Sequence, residues 1–167
     1  MILTMDIGNT NVKYGVFDGD KMIASWRVST KASRTADEYG MVLYDLLRQR
    51  GVNFEDIDAC VMSSVAPALN YTIEHMCNDY IGKSPLIVSC DTDTGITLDY
   101  AQPTQLGTDR IVGAAAAYAI YGGPVIVVDF GSATTFNLVT KDGRYLGGAI
   151  APGIKTATES LVTTAAK

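Results

Sequence analysis

The sequence contains two copies of one pattern, and this repeat restricts the possible folds more than any other feature. Each copy has an apolar segment, an Asp-x-Gly sequence with small polar residues, a second apolar segment, an Asp-Gly dipeptide and a third apolar segment. The first copy begins at Ile2 and the second at Val125. Asp-Gly between alternating apolar segments favours a β-hairpin, because Gly adopts the positive φ angle of the turn at little cost. Each copy therefore predicts three meandering strands, and the helical patterns that follow predict an α/β unit.

The repeat also predicts how the chain divides into domains. Corresponding residues of the two copies are Asp6 and Asp129, Gly8 and Gly131, and, one residue out of step, the turns Asp18-Gly19 and Asp142-Gly143. We predict a first domain over residues 1–110 and the start of a second over residues 111–167. By the symmetry of the repeat, completing the second core would take further strands and helices after Lys167.

Apolar periodicity predicts the elements between and after the two copies. The run from Ile111 to Val128 contains no charged residue, but Gly122-Gly123-Pro124 divides it into a helix, a turn and a buried strand. We therefore expect no membrane span. The predicted helices are Thr35–Arg50, Pro67–Ile81, Gly107–Tyr121 and about Lys155–Ala166, and the further predicted strands are Ala59–Met62 and Pro85–Val88.

Composition excludes several classes of protein. Thirteen Lys and Arg against eighteen Asp and Glu give a formal net charge of −5, and no basic run suggests a nucleic-acid surface. Three widely spaced cysteines and a single histidine predict neither a disulfide framework nor a structural zinc site. A reducing, cytoplasmic location fits this cysteine usage best.

The segments Asp6–Lys13 and Asp129–Thr135 are the strongest candidates for a phosphate site. A strand that ends in Asp places a carboxylate at the sheet edge, where it can hold hydrated Mg²⁺ or another cation. The following turn offers backbone N–H groups, hydroxyls and amides to phosphate oxygens. Either segment alone is also compatible with a plain hairpin, but two copies in matching context favour a clamp that holds a triphosphate from both sides of a cleft.

The segment Gly107-Thr108-Asp109-Arg110 is a second candidate site, and it precedes an Ala-rich helix. Asp109 can accept a proton from a substrate hydroxyl, and Arg110 can bind a substrate carboxylate through two hydrogen bonds. The alternative is a helix cap, and spacing alone does not decide between them. Tyr100 either lines the same pocket or serves packing.

The segment Gly148–Thr156 is close to a P-loop but is not one, because Ile154 separates the second Gly from Lys155. It is predicted to form a glycine-rich loop that opens a helix, whose free N–H groups could contact an anion or substrate.

Together these motifs resemble the type III pantothenate kinases, of the acetate kinase, sugar kinase, Hsp70 and actin superfamily. The resemblance covers the whole chain, and about the first two-thirds of a family member. It implies a duplicated ribonuclease-H-like (actin-like ATPase) α/β fold with mixed sheets and flanking helices, the second domain incomplete. The motifs that carry it are Asp6-x-Gly-Asn-Thr-Asn-x-Lys13, Gly107-Thr-Asp-Arg110 and Asp129-x-Gly-x-Ala-Thr-Thr135, supported by Gly147-Gly-Ala-Ile-Ala-Pro-Gly153.

The resemblance implies ATP-dependent phosphorylation of pantothenate to 4'-phosphopantothenate, the first step of coenzyme A biosynthesis, by a homodimer. Asp109 would be the general base, Asp6 would hold Mg²⁺, and Asp129 would help bind a monovalent cation, K⁺ or NH₄⁺. The implied ATP-phosphate residues are Asp6, Ile7, Gly8, Asn9, Thr10, Asn11, Val12, Lys13, Gly131 and Ser132. The implied pantothenate residues are Tyr100, Gly107, Thr108, Asp109 and Arg110.

The sequence departs from the family pattern in two places. Ser132 stands where the family usually has Thr, which keeps the hydroxyl. The chain also ends before a downstream part that would bring adenosine contacts and a substrate-binding Thr. Two alternatives stay open: a non-catalytic regulator like the Bvg accessory factors, and a kinase for another small hydroxyl substrate. The presence of Asp6, Asp109 and Asp129 together argues against a relative that only binds.

Overall fold

A computed structural model describes residues 1–165 of the chain. The chain divides into two compact units, of which the first is Met1–Val88 and the second begins at Ser89. The predicted boundary after residue 110 differs from this division, because it lies inside a helix that runs from Thr108 to Tyr121. Leu106 and Ile111 flank the start of that helix and belong to one apolar cluster, so the segment before the helix belongs to the second unit.

The first unit is a five-stranded sheet flanked by helices. Its strand order is β3-β2-β1-β4-β5, with the first three strands antiparallel and both β4 and β5 parallel to β1. The strands are β1 (Ile2–Ile7), β2 (Asn11–Asp18), β3 (Lys21–Ser29), β4 (Ala59–Ser64) and β5 (Leu86–Ile87). The helices are α1 (Ala36–Arg48) and α2 (Asn70–Met76), with short helical turns at Phe54–Asp56, Pro67–Leu69 and Cys77–Ile81.

The core of the first unit lies between one face of this sheet and the two helices. Period-2 alternation in β1 and β2 points their buried side chains to the same face. Helix α1 begins with a capping box of Thr35 and Glu38 and presents its apolar stripe to that face. The largest fully buried side chains of this cluster are Leu3, Ile7, Tyr14, Tyr39, Leu43, Leu47, Ile57, Met62, Leu69, Ile73 and Met76.

The second unit repeats the meander of the first. Its four-stranded sheet has the order β6-β9-β8-β7, in which the last three strands are antiparallel and β6 runs parallel to β9. The strands are β6 (Thr97–Leu98), β7 (Val125–Phe130), β8 (Ala133–Val139) and β9 (Arg144–Pro152). The helices are α3 (Thr108–Tyr121) and α4 (Ile154–Thr164), with a 3₁₀ turn at Pro103–Gln105.

One face of the second sheet is exposed where the matching face of the first sheet is buried. In β1, the residues on this face are 0%, 3% and 0% exposed, namely Leu3, Met5 and Ile7. Their counterparts in β7 are 65%, 39% and 68% exposed, namely Ile126, Val128 and Phe130. In the first unit β4 pairs with the other edge of β1, whereas no strand of the described residues pairs with that edge of β7. Residues up to 165 thus reproduce the three-stranded meander of the first half, but not the strand pairing beyond its first strand or the full covering of this face.

The Asp-Gly turns of the two copies differ in length. Asp18 pairs with Lys21, which leaves a two-residue turn with positive φ at Gly19. In the second copy the N–H of Thr140 donates to the carbonyl of Arg144, so three residues lie between them and the last, Gly143, has φ 79°. Both are common hairpin geometries that need a positive φ at one position. Asp18 therefore stands at a strand end and Asp142 inside a turn, so the aligned dipeptides are not structurally equivalent.

Most predicted elements match the structure closely. The Pro67–Ile81 prediction corresponds to three consecutive helical pieces, and the end of the last predicted helix, at Ala166, lies outside the described residues. One prediction was wrong: Gly148 is in strand β9, not in a loop, and only Gly153 precedes helix α4. No helix among residues 1–165 is long and apolar enough to cross a membrane.

Candidate active site

The first Asp-x-Gly hairpin holds a carboxylate and an ammonium group side by side. Asp6 near the end of β1 and Lys13 in β2 are opposite each other in the antiparallel register. The Lys13 Nζ lies 2.9 Å from Asp6 Oδ2, and both side chains are partly accessible. Because the pair is accessible to solvent, it contributes little to stability and is free to exchange partners with a ligand.

The loop between β1 and β2 is held in one shape by backbone contacts. The N–H of Gly8 donates to the carbonyl of Asn11 at 3.0 Å, and Thr30 Oγ1 donates to the Gly8 carbonyl at 2.6 Å. The N–H of Thr30 also donates to the carbonyl of Thr10. Asn9 and Thr10 at the tip are exposed residues of this braced loop.

Two predicted phosphate residues can act only through their backbone. Ile7 and Val12 flank the loop, pair with each other, and have side chains that are 0% exposed in the core of the unit. They anchor the loop to the sheet. The polar side chains of the predicted set that reach the surface here are those of Asp6, Asn9, Thr10, Asn11 and Lys13.

Asp6 also fits the binding of a divalent cation. Its Oδ1 is buried and has no hydrogen-bond partner among the described residues, although a carboxylate oxygen normally accepts one. No group of three or more His, Cys, Asp or Glu residues that could hold a metal occurs within residues 1–165. Mg²⁺ typically binds through one or two carboxylates plus phosphates and water, so one carboxylate would be sufficient beside a bound phosphate.

The second hairpin resembles the first but carries a different charge. Asp129 in β7 pairs with Thr135 in β8, whereas Asp6 pairs with Lys13. Asp129 is exposed and makes no ion pair with any residue the structure describes. The N–H of Gly131 donates to the carbonyl of Ala133, closing a loop of three residues that includes Ser132. The second copy therefore presents a carboxylate that no lysine neutralises.

A polar cluster inside the second unit surrounds Arg110. The Nε of Arg110 donates to Asn137 Oδ1 at 2.7 Å, and the hydroxyl of Tyr145 donates to the same oxygen at 2.8 Å. Asn137 and Tyr145 are 3% and 0% exposed. Burial raises the pKa of Tyr145, and the Arg110 charge acts in the opposite direction, so at neutral pH the hydroxyl keeps its proton.

Two of the predicted substrate residues, Tyr100 and Arg110, contact this cluster. The Tyr100 ring lies 6.3 Å from the Tyr145 ring in an edge-on arrangement, so Tyr145 contacts both Tyr100 and the partner of Arg110. Gly107 is the N-cap residue of α3 and Thr108 its first residue. Asp109 lies in the first turn rather than at the N-cap, and its Oδ1 accepts the N–H of Arg110 at 2.8 Å.

Sequence reasoning missed Asn137 and Tyr145. Both lie in strands whose alternating pattern explains them as ordinary strand residues. One feature of the sequence could have indicated Asn137. It is a polar residue between Phe136 and Leu138, and the repeat aligns it with the apolar strand residue Tyr14. Its bonding to Arg110 spans 27 residues of sequence and depends on the packing of α3 against β8.

Solved structures of other proteins share the fold of this chain. A Campylobacter jejuni protein assigned to the Baf family of transcriptional activators is 22% identical over 96% of this chain and 59% of its own, with a TM-score of 0.53. A Sinorhizobium meliloti protein described as a 2-dehydro-3-deoxygalactonokinase is 14% identical over 99% and 56%, with a TM-score of 0.55. The type II variant of the Aquifex aeolicus Ppx/GppA phosphatase is 19% identical over 96% and 55%, with a TM-score of 0.53. These similarities confirm the predicted actin-like ATPase fold.

The chain belongs to the type III pantothenate kinase family, whose profile matches residues 2–167. This confirms the resemblance predicted from the motifs. The chain spans 55–59% of the length of the three solved neighbours described above.

Proposed function

We propose that this chain serves the ATP-dependent phosphorylation of pantothenate to 4'-phosphopantothenate, the first step of coenzyme A biosynthesis. The observation that carries the proposal is the Arg110 guanidinium, which donates from Nε to Asn137 and has one terminal nitrogen without a hydrogen-bond partner among the described residues, next in sequence to Asp109. A cation in that state suits the carboxylate of pantothenate, and the neighbouring carboxylate suits its hydroxyl. Membership of the family supports the same substrate pair.

In this proposal the chain's own residues divide the work between two sites. Each unit supplies its own candidates for the phosphates of ATP: the hairpin Asp6–Lys13 in the first unit, where Lys13 contributes a positive charge, and Gly131 and Ser132 in the second. Gly107, Thr108, Arg110 and Tyr100 hold pantothenate. Asp109 accepts the proton of the pantothenate hydroxyl. The hydroxyl oxygen of pantothenate bonds to the γ-phosphorus of ATP, and the bond between that phosphorus and the bridging oxygen breaks, which releases ADP.

Two cations would neutralise the negative charges of the ATP phosphates and of Asp6 and Asp129. Asp6 is the residue that would hold Mg²⁺, which neutralises charge on the phosphates and favours the leaving of ADP when bound. Asp129, which no lysine neutralises, is the residue assigned to a monovalent cation, K⁺ or NH₄⁺. A homodimeric assembly and a cytoplasmic location complete the proposal, and light scattering of the purified chain measures the assembly directly.

The primary experiment measures ATP-dependent formation of 4'-phosphopantothenate by the purified chain in the presence of Mg²⁺ and K⁺. Mass spectrometry of the product distinguishes pantothenate phosphorylation from ATP hydrolysis. Product formation that requires pantothenate supports the kinase. Its absence, with ATP still bound, would favour a non-catalytic regulator or a kinase for another hydroxyl substrate.

A substitution of Lys13 tests the phosphate site separately. We expect Lys13→Met to weaken ATP binding by about tenfold or more, because a charge-assisted hydrogen bond to phosphate contributes about 1.5–3 kcal/mol. Isothermal titration calorimetry with ATP and Mg²⁺ measures the change. Lys21→Met, at an exposed position after the Gly19 turn, is the matched control and should leave affinity unchanged. Equal affinity in both variants would remove Lys13 from the site.

A further inference from the structure

Asn137 is a buried polar side chain that links Arg110, Tyr145 and Thr135 through hydrogen bonds. It lies in β8 at 3% exposure, beside the small apolar cluster of the second unit. Its Oδ1 accepts from Arg110 Nε at 2.7 Å and from the Tyr145 hydroxyl at 2.8 Å, and its Nδ2 donates to Thr135 Oγ1 at 3.2 Å. A buried amide destabilises a fold unless it is bonded in this way. The network satisfies the amide and, through it, holds the guanidinium.

The chemistry of the partners determines how the Asn137 amide is oriented. The Nε of Arg110 can only donate, so the atom of Asn137 that faces it must be the oxygen. Tyr145 adds a second donor to the same oxygen, and its burial keeps the hydroxyl protonated. The Nε of Arg110 therefore donates its hydrogen bond to a neutral amide oxygen, that of Asn137, and not to a carboxylate.

A neutral acceptor leaves the charge of Arg110 intact. An Asp at position 137 could accept the same two hydrogen bonds but would form an ion pair with Arg110 and neutralise it. Asn137 instead orients the planar guanidinium of Arg110 without forming an ion pair that would compete with a ligand carboxylate. Arginine forks held at one edge offer their remaining N–H groups to a planar carboxylate.

One terminal nitrogen of the Arg110 guanidinium is a hydrogen-bond donor that no described residue uses. Arg110 Nη2 is buried and has no hydrogen-bond partner among the residues described. Leaving a buried charged donor unpaired is costly, so such a group calls for a specific explanation.

The backbone leaves room for this nitrogen at Gly148, which pairs with Asn137 across the sheet. A Cβ added at Gly148 would lie 1.7 Å from the Phe136 carbonyl oxygen and 3.1 Å from Arg110 Nη2. A side chain at position 148 would thus clash with the Phe136 backbone and would also press on the guanidinium.

We propose that Asn137 and Tyr145 are positioning residues that hold the Arg110 guanidinium charged and oriented for the carboxylate of the substrate. The proposal rests on the proposed function, in which Arg110 binds the carboxylate of pantothenate. Neither residue contacts the reacting atoms. Both act through Arg110, and they select for an acidic substrate over a neutral one of the same shape.

The test compares Asn137→Asp with wild type for two ligands. These are pantothenate and the neutral alcohol in which a hydroxymethyl group replaces its carboxylate. We expect Asn137→Asp to weaken pantothenate binding by roughly 10- to 100-fold, and to leave binding of the alcohol unchanged, as measured by calorimetry. A purely structural role would predict equal losses for both ligands, or none for either, and either result would overturn the proposal.

Two further variants protect the test from a folding artefact. Asn78→Asp makes the same chemical change at an exposed position whose Oδ1 accepts from the Ser84 hydroxyl, and it should change neither affinity. Tyr145→Phe removes one donor without adding charge and should reduce pantothenate affinity to a smaller extent, with the alcohol again unaffected. Where catalysis is measurable, the effects should appear in KM for pantothenate and not in kcat.

A second readout separates this proposal from the proposed function. The ¹⁵N–¹H signal of Arg110 Nε should be protected from solvent exchange in wild type and lose that protection in Asn137→Leu. If wild type binds both ligands equally while the Nε signal behaves as expected, the assignment of Arg110 to the substrate carboxylate fails, and with it the selection of an acidic ligand, although Asn137 still orients the guanidinium. If the Nε signal is the same in wild type and Asn137→Leu, the positioning role is refuted whatever the ligands do.

Discussion

Replacement of Asp109 by Asn is expected to reduce ATP-dependent phosphorylation of pantothenate by roughly 10²- to 10⁴-fold, because an amide cannot accept the proton of the attacking hydroxyl. The transition state of phosphoryl transfer is loose, so we expect a loss nearer the lower end of that range. Asn keeps the oxygen that accepts the N–H of Arg110, so the start of α3 should be preserved. The rate is measured by the 4'-phosphopantothenate formed at saturating substrate.

ATP binding should survive the same substitution, because the proposal assigns the phosphates to the Asp6–Lys13 hairpin. Calorimetry with ATP and Mg²⁺ checks this directly. Asp91→Asn, an exposed carboxylate of the same unit, is the control and should retain the wild-type rate. Undiminished turnover in Asp109→Asn would show that another group accepts the proton.

The sequence repeat predicts much of the fold because each copy is governed by local signals. The Asp-Gly turns, alternating apolar residues and the Thr35 cap act within a few residues of each other, and the structure forms the expected strands and helix there. The two-residue strand β6 was not predicted, since its pairing with β9 depends on a contact between segments distant in sequence.

The candidate site was predictable only in part, for the same reason. Motif position was enough to select Asp109 and Arg110, and spacing within the hairpin was enough to select Asp6 and Lys13. The bonding of Arg110 to Asn137 requires that α3 pack against β8, which no local pattern encodes. Gly148 shows the same limitation in an incorrect prediction. Its glycine-rich context suggested a loop, whereas in the structure it lies within strand β9 and close to the backbone of Phe136.

Equivalent substitutions in the two copies should differ widely in their effect on stability. Leu3 in β1 and Ile126 in β7 occupy corresponding positions of the repeat, but they are 0% and 65% exposed. Leu3→Lys places an unpaired charge in a closed core, and we expect it to reduce the free energy of unfolding by about 3–5 kcal/mol, a large part of the stability of a domain of this size. Ile126→Lys should change it by about 0.5 kcal/mol or less, because the side chain already faces solvent and a charge is well tolerated on an edge strand.

Urea titration followed by circular dichroism measures both variants, and the fluorescence of Trp26 reports on the first unit, where its ring packs against the core. Thr4→Lys is the control within β1, since the Thr4 side chain points to the opposite face from Leu3 and should cost less. If Ile126→Lys destabilised the purified chain as strongly as Leu3→Lys, the exposed face of the second sheet would have to be covered in solution. In an assembly of copies of this chain that loss would depend on protein concentration, because the covering would come from a second molecule. A loss independent of concentration would instead mean that the chain itself buries Ile126. Leu3 and Ile126 are related by the repeat. Comparing their substitutions therefore tests whether the sheet face that is buried in the first unit is open to solvent in the second.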